Sequence, residues 1–156
     1  MLNIKNNSYS GAGFILLSPD LSHILLVKGN KSPKWGFPKG HREEEDASVI
    51  QTAIRELYEE TGLAHDDIII HEKSFSLFRD GTGHIFSYAI LKKNTSLEKA
   101  GPKNEIITTM WIPIVDLLSM NIYSNKYLNS WIYNMNNNVS MNYIDIYKEL
   151  VTSKIL

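Results

Sequence analysis

The sequence predicts an α+β fold, a mixed α/β sandwich formed by a single domain over residues 1–156. Its 156 residues are enough for one domain with a full hydrophobic core. Strand-like segments come first, followed by one strong helix, further strands and finally helices. This order favours a sandwich with a mixed sheet over an alternating parallel sheet. No internal repeat or second-domain boundary is visible.

Two apolar segments near the start of the chain are typical of paired strands. They are residues 11–18 (GAGFILLS) and residues 23–28 (HILLVK), and Pro19-Asp20 between them is a turn signal. Residues 29–38 contain two prolines and two glycines, which predicts a loop.

Residues 48–61 form the clearest predicted helix. Ser48 and Gln51 have the spacing of a capping box at its start, and Gly62 supplies the stop at its end. An apolar stripe recurs at helical spacing through Ile50, Ala53, Ile54 and Leu57.

The second half of the chain returns to strands before ending in helices. Residues 75–79 and 84–91 predict a hairpin closed at Asp80-Gly81. After a polar connection, residues 106–112 predict another strand and residues 113–120 a short helix. Two C-terminal helices are expected at 127–133 and 143–154, with the aromatic side chains Tyr127, Trp131 and Tyr133 in the core.

The composition excludes several kinds of chemistry. There is no cysteine, so disulfides, thiolate catalysis and cysteine metal sites are ruled out. The formal net charge is -1, so any contact with RNA must use a local basic patch. The N-terminal residues lack a signal-peptide core and no apolar run could span a bilayer. We therefore expect a cytoplasmic protein, with a nuclear location possible and no membrane partner.

Three carboxylates lie on one face of the predicted helix. Glu59 and Glu60 lie three and four positions after Glu56, so the three carboxylates are neighbours on a helix. They repel one another unless a cation lies between them. Carboxylate oxygens suit Mg²⁺ or Mn²⁺. Arg55, four residues before Glu59, can orient or partly neutralise the cluster. The alternative interpretation of such a cluster is a solvated acidic helix face.

The surrounding residues favour the metal site, because residues 55–63 (RELYEETGL) resemble the end of the Nudix box. That signature opens with a glycine, here Gly40, followed by a glutamate. The distance from Gly40 to Arg55 is 15 positions (55 − 40), one more than in the family pattern. This predicts a one-residue insertion within residues 41–46, with Asp46 as a possible substitute for the missing box glutamate.

A second resemblance, over about residues 11–118, is to the catalytic domain of the eukaryotic mRNA decapping enzyme. It is carried by WGFPKG at residues 35–40 and by the NEIxxxxW pattern that begins at Asn104 and ends at Trp111. Dinucleoside polyphosphate hydrolases share much of the first motif. The second motif is more specific behind a Nudix box.

The resemblance implies a Nudix fold, an α/β/α sandwich in which the box forms loop, helix and loop. It also implies a divalent metal, Mg²⁺ or Mn²⁺, held by Lys39 through its carbonyl, Glu56, Glu59 and Glu60. The catalytic set it implies consists of Glu105 as general base, Glu56 and Arg55. The expected substrate contacts are Lys39, Trp35, His41, Arg79 and Tyr88, although packing or solvated roles are open for all of them but Lys39.

We therefore expect hydrolysis of the 5′ cap of mRNA, giving methylated GDP and a 5′-monophosphate RNA. The alternative within the family is a dinucleoside polyphosphate or diphosphoinositol polyphosphate hydrolase. A catalytically inactive binding module is disfavoured, because all three helix glutamates are present. The partner is accordingly capped RNA or a nucleotide substrate.

Overall fold

The structure, a computed structural model, describes residues 9–79, 82–101 and 107–137. Within these ranges the chain forms six strands, three α-helices and two short 3₁₀ helices at His65–Asp67 and Leu97–Lys99. The strands are β1 Gly11–Leu17, β2 His23–Lys28, β3 Lys39–His41, β4 Ile68–Arg79, β5 Thr82–Leu91 and β6 Thr108–Pro113. The helices are α1 Val49–Thr61, α2 Ile114–Ser119 and α3 Lys126–Asn137.

The strands form one mixed sheet in the order β4-β5-β1-β2-β6, and β3 pairs with β1 off this path. Strand β1 lies parallel to β5, with Gly11 opposite His84, and antiparallel to β2 and β3. All seven residues of β1 are buried, because both faces of the sheet are covered. This explains why β1 is continuously apolar rather than alternating.

Two hydrophobic cores lie on opposite faces of the sheet. One packs α1 against the sheet through residues such as Val49, Ala53 and Leu57. The other is covered by α2 and α3, with Trp131 completely buried within it. The predicted α/β/α sandwich with a mixed sheet is confirmed.

Helix α1 begins and ends where the sequence predicts. The Ser48 side chain accepts a hydrogen bond from the Gln51 N–H (3.1 Å), and Gly62 ends the helix with φ 82°. The predicted capping box is displaced by one residue. The Gln51 side chain accepts from the N–H of Ala47 (2.9 Å) instead of that of Ser48.

The structure differs from the sequence predictions at three points. Strand β4 begins at Ile68, seven residues before the predicted start at residue 75. The prediction missed its first half because a register irregularity between Ile70 and Ser74 breaks the alternation. Strand β3 was not predicted, since its three residues carry no apolar pattern. The placement of Tyr133 in the core is wrong: its side chain is 58% exposed, on the face of α3 opposite Trp131.

The hairpin turn at 80–81, the start of the strand predicted from residue 106 and the helix predicted at 143–154 involve residues outside those the structure describes. In the described ranges, no helix has the length and apolar character needed to cross a membrane.

Candidate active site

The glutamate face of α1 packs against β3, which contains the lysine and glycine that open the box. The N–H of Lys39 donates a hydrogen bond to Oε1 of Glu60 (3.0 Å). The carboxylate of Glu56 lies where a side chain at position 40 would project, so a larger residue there would displace it. The helix face and the Lys39–Gly40 backbone therefore form one site, as the box predicts.

The carboxylates of this site are held in an environment that disfavours their charge. Burial raises the pKa of Glu60 to about 7; the Lys39 N–H opposes this effect and repulsion from Glu56 adds to it. Burial also raises the pKa of Glu56, against the hydrogen bond from Arg55. A cation placed among these groups would remove the electrostatic cost of assembling them.

Arg55 connects this face to the preceding loop. Its guanidinium donates to both carboxylate oxygens of Asp46 (3.2 and 2.8 Å), to Glu56 (2.6 Å) and to Glu59 (3.1 Å). A further bond reaches the carbonyl of His41 (2.9 Å). These bonds, first those to Asp46, raise the pKa of Arg55. Arg55 thus holds two site glutamates and the loop in position, and its catalytic role stays a prediction.

Asp46 occupies the place where the family signature and this sequence differ. Besides Arg55, its carboxylate accepts hydrogen bonds from the Thr52 hydroxyl (2.8 Å) and the Glu43 N–H (2.8 Å). The hydrogen bond from Arg55 lowers the Asp46 pKa to about 2. The Asp46 N–H in turn donates to the Glu43 carbonyl (3.0 Å), which closes a turn. This turn lies within residues 41–46, where the one-residue insertion is predicted, and Asp46 provides a carboxylate that supports Arg55.

Two observations bear on whether these residues fit a metal ion. Within residues 9–79, 82–101 and 107–137, no three His, Cys, Asp or Glu side chains are grouped closely enough to hold one. Arg55 instead bridges Glu56 and Glu59 and supplies a positive charge between them. The donor chemistry nevertheless fits. The side chains are all carboxylates, which suit Mg²⁺ or Mn²⁺, and burial raises the pKa of two of the three.

Two of the predicted substrate contacts, Lys39 and His41, lie beside this site. The Lys39 ammonium is 5.4 Å from the Tyr127 ring centroid, on the α3 side of the sheet, and burial lowers its pKa. The exposed His41 ring lies 5.9 Å from that of His84. Trp35 is half-buried against the core beneath α2 and α3, and the Lys28 ammonium lies 4.9 Å from its ring centroid.

The other predicted residues do not join this group. Tyr88 is 1% exposed, and its hydroxyl accepts a hydrogen bond from the Trp131 indole (2.8 Å), so its predicted contact with substrate is wrong. Arg79 is the last residue of β4, and the structure does not describe its side chain. Glu105, the predicted general base, lies outside the described residues. Trp111 of the same motif donates to the Leu97 carbonyl (2.9 Å).

On sequence grounds His84, like Arg79 and Tyr88, could line a nucleotide pocket, but its contacts with α3 beside Lys39 were missed. His84 is 4% exposed and shares a hydrogen bond of 2.8 Å with the Tyr127 hydroxyl, while its Nε2 has no hydrogen-bond partner among the described residues. Burial, then the charge of Lys39, lowers the His84 pKa to about 4. The Lys126 ammonium is 5.1 Å from the Tyr127 ring centroid. The alternation of β5 could have indicated that His84 faces inward, but no local pattern connects it to α3.

Comparisons with known proteins agree with this geometry. A family model described as NUDIX domain matches residues 9–132. The m7GpppN-mRNA hydrolase dcap-2 of Caenorhabditis elegans is 33% identical over 108 residues, which are 67% of this chain and 14% of that protein. The protein ADP-ribose pyrophosphatase ORF38 of Autographa californica nuclear polyhedrosis virus is 40% identical over 91 residues, 49% of this chain and 42% of that protein.

The same fold is found in solved structures. A Caenorhabditis elegans Ap4A hydrolase in a binary complex has a TM-score of 0.64 and 21% identity, with 83% of this chain and 97% of that chain covered. At this identity the likeness shows the fold alone. This chain thus spans less than half the length of the two curated relatives but almost the whole of the solved hydrolase.

Proposed function

Because the chain belongs to the Nudix family, we propose that it is a hydrolase of phosphoric anhydride bonds whose substrate is the 5′ cap of mRNA. Hydrolases of this family generally use divalent metal ions. The products would be methylated GDP and a 5′-monophosphate RNA.

The observation that carries this proposal is the contact between Lys39 and the glutamate face of α1. The Lys39 N–H donates a hydrogen bond to Glu60, and the Glu56 carboxylate occupies the space beside Gly40. These two contacts bring the opening of the box and its helix together. All three helix glutamates are retained, which an inactive binding module would not need. The site therefore supports a hydrolytic role over a binding role.

Each residue of the site would have a separate task. Glu56, Glu59 and Glu60, with the Lys39 carbonyl, would hold the ion. A bound divalent ion would polarise the phosphoryl oxygens and lower the pKa of a bound water. The Lys39 ammonium, already on the α3 side of β3, would contact a phosphate oxygen. Glu105 would accept the proton of the attacking water, a role that rests on the NEIxxxxW motif alone.

Two observations favour capped RNA over a small polyphosphate. NEIxxxxW stands behind the box, and the similarity to dcap-2 extends over two thirds of this chain. The likeness to the Ap4A hydrolase concerns the fold and does not indicate a substrate. The exposed His41 directly after Gly40 is the feature that favours a dinucleoside polyphosphate, because those hydrolases share the PKGH sequence.

A side-by-side comparison of substrates tests the proposal. Capped RNA, methylated cap dinucleotide, diadenosine tetraphosphate, ADP-ribose and a diphosphoinositol polyphosphate are each offered with Mg²⁺ or Mn²⁺, and kcat/KM is compared. We expect capped RNA to have the highest value, with Glu60→Gln as the inactive control. A higher value for any small molecule would assign the enzyme to that substrate instead.

A further inference from the structure

The chain has a strongly basic side although its overall formal charge is -1. Two segments, residues 21–42 and 117–137, contain no aspartate or glutamate. Their basic residues are Lys28, Lys31, Lys34, Lys39, Arg42 and Lys126. The acidic residues are therefore concentrated elsewhere, and the charge of these two segments is not neutralised from within.

The fold brings the two segments together. The N–H of Trp35 donates to the Tyr123 carbonyl (2.8 Å), and the N–H of Asn125 donates to the Trp35 carbonyl (2.8 Å). The side chain of Asn125 lies where a side chain at Gly36 would project. The loop after β2 is thus fixed to the residues that lead into α3, and the lysines of both segments share one side of the molecule.

Aromatic rings alternate with the lysines on this side. The Lys28 ammonium lies 4.9 Å from the Trp35 ring centroid, and the Lys34 ammonium lies 5.5 Å from the ring centroid of Tyr123, which is 59% exposed. Lys28 and the exposed Lys31 line an open surface hollow. We refer to Lys28, Lys31, Lys34, Trp35 and Tyr123 as the lysine–aromatic surface.

This surface continues into the candidate active site. Lys126 follows Asn125, and its ammonium and that of Lys39 lie 5.1 and 5.4 Å from the centroid of the same Tyr127 ring. The backbone of Lys39 in turn binds Glu60. A chain with regularly spaced negative charges could therefore run from the glutamates past Lys39 and Lys126 to the lysine–aromatic surface.

We propose that the lysine–aromatic surface binds the single-stranded RNA that follows the cap, an inference that rests on the RNA substrate proposed above. Lysines separated by a few residues match the phosphates of an extended strand, and unpaired bases stack on exposed aromatic rings. An acidic protein segment would match the lysines but would bring no bases to stack on the rings.

The test uses the full chain without divalent metal and an uncapped, 5′-monophosphate RNA of about a dozen nucleotides. Binding is measured by fluorescence anisotropy at several salt concentrations. Replacing Lys28, Lys31 and Lys34 by Gln should weaken binding about tenfold at low salt and make the log–log salt dependence shallower by about 2. The control replaces Lys73, Lys92 and Lys93 by Gln, which removes the same charge from the region of β4 and the end of β5 and should have little effect.

A second pair of variants tests stacking. Tyr123→Ala should weaken RNA binding about fivefold or more, whereas Tyr133→Ala, which removes a tyrosine of nearly equal exposure, should not. Circular dichroism and thermal melts confirm that every variant is folded. An equal loss of RNA affinity in the two lysine variants would overturn the assignment and indicate only nonspecific electrostatic attraction. Unchanged RNA affinity in Tyr123→Ala would also overturn it and indicate a partner without bases.

Turnover separates this inference from the proposed function. We expect the Lys28, Lys31 and Lys34 variant to raise KM for capped RNA about tenfold while kcat/KM for methylated cap dinucleotide stays at the wild-type value. Cleavage of capped RNA with unchanged KM would refute the surface and leave the function intact. RNA binding that depends on the surface, without any cleavage of capped RNA, would refute the function and leave the surface as an RNA-binding site.

Discussion

Replacing Asp46 with asparagine tests how this chain compensates for its departure from the box. The substitution keeps the shape of the side chain and removes its charge. In the wild-type protein the Asp46 carboxylate accepts two hydrogen bonds from Arg55, one from the Thr52 hydroxyl and one from the Glu43 N–H. Asparagine has one acceptor oxygen, so it can satisfy only part of this set.

The expected loss of stability follows from the Asp46 pKa. Its depression from the usual 3.8 to about 2 corresponds to roughly 2 kcal/mol in favour of the folded protein at neutral pH. Solvent screening and the other carboxylates around Arg55 reduce this to about 1 to 2 kcal/mol. For a chain of this size the melting temperature should fall by about 2 to 8 °C.

The pH dependence has a definite sign. Because the folded-state pKa is depressed, the contribution of Asp46 is fully present above about pH 4 and is lost as the pH falls towards 2. Urea unfolding of wild type and Asp46→Asn should therefore differ by a constant amount at neutral pH and converge below about pH 4. Activity should fall about 10- to 100-fold, as for other groups that orient metal ligands.

Asp66→Asn is the matched control, since it makes the same chemical change at an exposed residue. It should leave both stability and turnover near the wild-type values. If Asp46→Asn were as stable and as active as this control, Arg55 would not depend on Asp46, and the supporting role assigned to that carboxylate would be wrong.

Three further predictions concern the site itself. Glu60→Gln should fold, and without metal it should be at least as stable as wild type because a buried charge is removed. Its kcat should fall more than about 100-fold at saturating metal. Turnover near the wild-type value would place the ion elsewhere. Gly40→Ala should displace the Glu56 carboxylate and weaken metal affinity, measured by metal titration, whereas Gly29→Ala, where an added methyl group would make only an ordinary van der Waals contact, should not. Glu105→Gln should lower kcat on capped RNA by about two to four powers of ten, with partial rescue at high pH; superimposable pH–rate profiles of the two proteins would remove Glu105 from the mechanism.

Much of the fold could be predicted because its signals are local. Strands β1 and β2 are continuous apolar segments, and α1 carries its own cap, stripe and stop at Ser48, Leu57 and Gly62. Strand β3 and the first half of β4 could not be predicted in this way. Strand β3 has three residues, which pair with β1. The first half of β4 is separated from the second half by an irregularity that hides the alternation of the strand.

The site was predictable as far as sequence spacing reaches. Glu56, Glu59 and Glu60 share a helix face whatever the rest of the chain does, and Lys39 is placed beside them by the box. The position of Lys126, by contrast, depends on how α3 packs, which no local pattern encodes. Tyr88 was misassigned because alternation shows which face a strand residue takes but not whether a helix covers that face, as Trp131 does here.

The central position of β1 has a consequence for biosynthesis. Its parallel partner β5 lies 73 positions later in the chain (84 − 11), so roughly 4 to 15 seconds of translation separate their appearance. During that time the uncharged segment GAGFILL can pair with β2 but has an open edge on its other side. Substitutions that weaken β5 should therefore reduce the yield of soluble protein through self-association of nascent chains. Milder substitutions of this kind should lower the yield while the stability and activity of the folded protein stay unchanged.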